Sequence, residues 1–96
     1  MEQLTTKQFI AMSKKLNKLT EKLIGTNHSA EFYTRSVTRC RYTCRSSQLI
    51  VYFNGDLITP EIFEIRDWLD NETNLKQLKA ATARVNELLG ITKNNR

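Results

Sequence analysis

Histidine, glycine, proline and, over one long stretch, acid are scarce in this chain, and each scarcity closes off a class of function. The one histidine is His28, in a short polar connection, and no Ser/His/Asp or Cys/His constellation forms around it. Glycine occurs only at 25, 55 and 90, so no Gly-rich loop is present to cradle phosphates. The two cysteines, Cys40 and Cys44, are spaced C-x3-C. In one strand they would lie about 13 Å apart, beyond the ~7 Å Cα limit of a disulfide. A zinc site would need two further ligands, and the sequence offers only His28. Both thiols are therefore expected to be free, small and core-facing, in a reducing compartment. An enzyme is not expected, nor a cofactor or a metal.

Long apolar runs are missing too. None approaches the ~18 residues of a spanning helix, and the first fifteen residues have the wrong charge pattern and length for a secretory leader. These features imply no membrane partner and a cytoplasmic protein, in the host cytoplasm if it is viral. Small basic proteins of this size are frequent among viral and mobile-element accessory proteins. Ninety-six residues imply one small domain spanning 1–96, with a polar tail expected to fray over 91–96.

Acid is absent from Phe32 to Gly55, while the whole chain carries a net charge of +5. Residues 1–54 hold nine Lys/Arg against three acids, residues 55–72 one against six, and residues 73–96 five against one. Such a distribution suits an anionic partner on one side and a basic one on the other.

Residues 31–54 are the stretch around which the rest is arranged. They are rich in Tyr, Phe, Val, Ile and Thr, which suit a pleated surface. The break at Arg45-Ser46-Ser47 predicts a hairpin with strands 31–44 and 48–53. Arg35, Arg39, Arg41 and Arg45 are all odd-numbered, so one strand would put them on one face. A turn at 44–47 pairs Tyr42 with Leu49 and Cys40 with Val51, gathers the apolar side chains on the other face, and sets Arg39 against Tyr52 and Arg41 against Ile50. In that register residues 31–37 overhang the hairpin, and a homodimer is expected, through that overhang or through the apolar helix stripes. Asn54-Gly55 is a hairpin signal, so 56–58 would form a third short strand.

Three helices are expected around this sheet. The first, over 5–24, is capped by Thr5 or Thr6 and stopped by Gly25, and buries Phe9, Met12, Leu16, Leu19 and Leu23. Its remaining surface is lysine-rich, and Lys14 and Lys18 extend the basic patch. Thr59-Pro60-Glu61 reads as the start of a second helix, to about Leu69, with Ile62, Ile65 and Leu69 buried. Glu64 and Asp67 would make its surface acidic and Trp68 would flank its stripe, a candidate protein-binding face. Asn74, with Gln77 three residues on, reads as the cap of the last helix. The fold class is α+β: an N-terminal helix, a hairpin or three-stranded meander, then two C-terminal helices on one sheet face.

In element order this is similar to the double-stranded-RNA-binding domain. That family uses lysines at the start of the helix after the sheet, where this chain reads Pro60-Glu61-Ile62-Phe63-Glu64, so the likeness is one of topology alone. A strand and two helices over 48–89 have the outline of a ribbon-helix-helix repressor, but the arginines precede them. Two functions follow from the residues. The first is nucleic-acid binding, to DNA or RNA, with Arg35, Arg39, Arg41, Arg45, Lys14 and Lys18 on phosphates and Tyr33 and Tyr52 stacking. The alternative is a non-enzymatic inhibitor or adaptor that docks on a host protein. It would use the arginine face on an acidic partner, or the helix bearing Glu64, Asp67 and Trp68.

Overall fold

A computed structural model describes residues 3–39 and 42–94. The expectations for Cys40 and Arg41 lie outside the described residues. Helix α1 spans Thr6–Lys22 and starts as the sequence implies. The Thr5 hydroxyl accepts the Gln8 N–H at 3.1 Å, and the Gln8 side chain accepts the Thr5 N–H at 3.0 Å. This reciprocal capping box satisfies two N–H groups that the helix start leaves without partners. Phe9, Met12, Leu16 and Leu19 form its buried stripe.

Strands β1 (Ser29–Arg39) and β2 (Tyr42–Tyr52) form a long antiparallel hairpin, and β3 (Glu61–Arg66) adds to its second strand. The sheet order is β1-β2-β3. Helix α2, Asn71–Asn94, closes the fold. The molecule is therefore α+β, with two helices rather than three around a three-stranded antiparallel sheet. Leu49, Val51 and Ile65 of the sheet are fully buried with Leu16 of α1 and Ala81, Val85 and Leu88 of α2.

Three expectations are overturned here. The first is the turn. Val37 pairs with Cys44 and Arg39 with Tyr42, so the chain reverses after Arg39, not at Ser46-Ser47. Both serines lie inside β2 and are fully buried. Ser47 is small enough to let α1 lie close to the sheet, and its hydroxyl joins Ser13 of α1 at 2.7 Å and Thr34 of β1 at 2.9 Å. A buried polar group with partners carries little of the penalty that excludes one without them. Residues 31–37 accordingly do not overhang: they pair with 44–50.

The second is the acidic helix. Residues 61–66 are a strand, with Leu49 opposite Phe63 and Ser47 opposite Ile65. Phe63 and Ile65 thus face the helices, while Ile62, Glu64 and Arg66 face away. Ile62, Ile65 and Leu69 satisfied a helical spacing, but Phe63 and Ile65 satisfy an alternating one. The free side of β2 decides between them, because its backbone groups need partners. The ribbon-helix-helix outline falls with that helix.

The third is the link after β2. Phe53–Gly55 is a single 3-10 turn, with Asn54 at φ 52° and Gly55 at φ 75°, and residues 56–60 are a loop rather than a strand. His28, in the polar connection before β1, is buried. Its Nδ1 accepts the Asn54 N–H at 3.1 Å and its ring stacks on Phe53. That contact ties the end of β2 to the start of β1.

The last helix begins earlier than the expected cap. Asp70 accepts the Thr73 N–H, and Asn74 lies inside the helix. The first turn after the sheet thus reads Asn71-Glu72-Thr73-Asn74, and Lys76 is paired with Glu72 at 3.9 Å. No lysine cluster opens this helix either, so the likeness to the double-stranded-RNA-binding domain remains one of element order.

Candidate nucleic-acid interface

The β1–β2 hairpin is longer than the sheet that supports it. The β2–β3 ladder ends at Ser46 opposite Arg66, with one further bond from the Asp67 N–H to the Arg45 carbonyl. The β1–β2 ladder continues through four more pairs, from Ser36 opposite Arg45 to Arg39 opposite Tyr42. A two-stranded arm therefore projects past β3 and contributes to the elongated shape, 51 × 23 × 17 Å. It bears Arg35 at its root, then Arg45 and Arg39.

Reversal of the chain after Arg39 changes how the arginines are distributed. Directly opposite residues share a face, and Arg45 pairs with Ser36 while Arg35 pairs with Ser46. Ser36 and Thr34 alternate with Arg35, so Arg45 lies on the helix side of the sheet and Arg35 on the open side. The expectation that all four arginines share one face is overturned: their common parity holds within one strand and does not survive a turn between them. The expected pairing of Arg39 with Tyr52 falls for the same reason, and Ile50 stands opposite Glu31.

On the open side, charge is mixed. Glu64 meets Arg66 and also approaches Arg35, at 3.9 Å, while Gln48 donates to it at 2.9 Å. Burial pushes the Glu64 carboxyl up. The Gln48 and Arg66 hydrogen bonds and the Arg66 charge outweigh burial and hold it below its ordinary value. Tyr52 donates its hydroxyl to Glu31 at 3.1 Å. Tyr33 is exposed on the same face.

On the helix side, the arm and α1 form a groove of about 430 Å³. Lys14 and Arg45 line it with Asn17, Ser36 and Thr34, and Phe9 and Phe32 supply apolar surface. Among the described residues, no carboxylate pairs with Lys14 or Arg45. Lys18, one turn along α1, is exposed but outside the groove. Asn17 and Ser36 were not singled out from the sequence, although Asn17 shares the helical face of Lys14 at a spacing of three.

The residues expected to bind a protein partner are dispersed. Glu64 belongs to the open face of β3. Asp67 lies in the following turn, where its carbonyl accepts the Leu4 N–H at 3.2 Å. Trp68 is half-buried beside the Arg66 guanidinium, which lies 5.9 Å from its ring centroid. Cys44 is free and half-buried, and its pairing with Val37 puts it on the open face rather than in the core. Among the described residues, no group of His, Cys, Asp and Glu could hold a metal ion, and no helix is long and apolar enough to cross a membrane.

No protein-family model, curated protein or solved structure matches this chain.

Proposed function

We propose that the protein binds nucleic acid, with the hairpin arm and the adjoining face of α1 as its phosphate-contacting surface. The observation that carries this reading is the projecting ribbon with Arg45 on one face and Arg35, at its root, on the other, within a stretch that contains no acid from Phe32 to Gly55. A ribbon entering the ~12 Å major groove tip-first presents one face to each phosphate wall, and Arg35 and Arg45 stand on opposite faces. Lys14 and Arg45 lack carboxylate partners among the described residues, so their charge is available to phosphate. Arg35 is partly neutralised by Glu64 and contributes less. Phosphate contacts of this kind position a protein without reading sequence.

The test is a titration of duplex and single-stranded DNA and RNA at several salt concentrations, with a melting curve for each variant. Replacing Lys14 and Arg45 together by Ala should reduce the magnitude of the log–log salt slope by about 2, one unit per lost contact. Arg35→Ala should reduce it by less than one unit. An unchanged slope in folded K14A/R45A protein would remove this surface from the reading. Absence of binding to every nucleic acid at low salt would favour instead docking of the arm on an acidic host protein.

A further inference from the structure

The two outer strands of the sheet end differently. On β3, the outward N–H of Arg66 donates to Asn74 Oδ1 at 2.8 Å, its carbonyl accepts from Asn74 Nδ2 at 2.8 Å, and the Glu64 N–H donates to Gln77 Oε1 at 3.4 Å. Helix α2 thus closes that edge with its own side chains. On β1, no group among the described residues bonds the backbone of 30–36 from the far side. The outward groups are those of the even residues. Arg66 points away from β2, so Ser46 opposite it points toward β1, and Arg35 points back; the groups of Phe32, Thr34 and Ser36 then face outward by alternation.

We infer that β1 is the pairing edge for a second copy of this chain, joined antiparallel about a two-fold axis at Tyr33, with Glu31 of each copy opposite Arg35 of the other. Two-fold symmetry requires some residue to face its own copy at the axis, because both copies then keep their helices on the same side. An axis at Arg35 would set that arginine against itself. An axis at Tyr33 sets opposite charges together twice, a favourable cross-strand arrangement. It also places Phe32 opposite Thr34 and Ala30 opposite Ser36, all with outward backbone groups, for about eight hydrogen bonds in four pairs. Tyr33 then faces Tyr33 of the other copy at a non-hydrogen-bonded position, where side chains lie closest. Tyr33 is 42% exposed and the Arg35 side chain 56% exposed, so both are accessible for this contact. The product is one six-stranded sheet with four helices on one face, and the arms pointing in opposite directions.

Sedimentation of the full chain across the micromolar range, with circular dichroism on each variant, tests the inference. The parent chain should self-associate to a dimer. Glu31→Arg alone and Arg35→Glu alone each juxtapose like charges, and should weaken dimerisation about tenfold or more. Mixing the two folded variants restores both opposite-charge pairs and should recover a mixed dimer, as should the double variant E31R/R35E with itself. A parent chain that stays at 11.2 kDa throughout overturns the inference. A dimer that tolerates both single reversals overturns it as well, as does failure of the mixture to associate.

Discussion

The two edges of the sheet solve the same problem in opposite ways. A strand at a margin presents unpaired N–H and C=O groups. At β3 the solution is internal: Asn74, fully buried, makes four hydrogen bonds, accepting from Arg66 and donating to the carbonyls of Arg66, Leu69 and Asp70. At β1 no group among the described residues bonds the outward backbone of 30–36. The difference shows that a helix lying over a sheet protects only the margin its polar side chains reach. Helix α2 carries such side chains at 74 and 77 beside β3. Helix α1 reaches β1 through a hydroxyl chain on the face, Ser13 to Ser47 to Thr34, and not along the edge.

The sharpest way to break this contrast is Asn74→Leu. It keeps the branched shape of the side chain, removes four hydrogen bonds and leaves the Arg66 N–H and carbonyl without these partners. Unfolding in urea should show a loss of about 3 kcal/mol. A loss below about 1 kcal/mol would mean that water replaces the amide there and the edge is not closed by the side chain. Next in size is Ser47→Ala, which interrupts the link from α1 to β1. Here about 1 kcal/mol is expected in the same measurement.

Glu64→Gln acts through pH. The folded carboxyl is held below its ordinary value, so its contribution is complete above the ordinary carboxylate range and is lost as pH falls through the folded value. The difference in stability between parent and variant should therefore be present at neutral pH and shrink as pH falls below the ordinary carboxylate range. A difference that persists in acid would assign the effect to the shape of the side chain instead. The smallest effect is expected for Gln77→Ala, whose bond to the Glu64 N–H is long and exposed: under about 0.5 kcal/mol by thermal melting.

What could be read from the sequence divides along physical lines. Helix α1 was legible to within one residue of its cap, because Thr5, Thr6 and the Phe9-Met12-Leu16-Leu19 spacing are all local. The strand content of 31–53 was legible from composition. The reversal point was not. Ser46 and Ser47 resemble turn residues, and their place inside β2 depends on Ser13, thirty-four residues away from Ser47. That single displacement moved Arg45 to the other face and made the expected arginine face wrong. Thr59-Pro60-Glu61 carried a strong local helix signal, but a neighbour supplied by the fold, the free side of β2, outweighed it. Asn74 and Gln77 were recognised as a polar pair at a spacing of three, which places them on one helical face. Their use, closing a sheet margin rather than capping a helix, could be seen only with β3 in place.

The short β3 also makes the arm a cantilever. Four residue steps from Arg35 to Arg39, at ~3.4 Å each, put the last pair about 14 Å from its support. A rotation of roughly 10° at the root would then move that end by about 2–3 Å, from the same strand dimensions. The fulcrum is the place where Ser13, Ser47 and Thr34 meet beneath α1. Force applied to the tip is therefore delivered to three linked hydroxyl groups, of which Ser47 is buried, and a slight shift of α1 there is magnified outward.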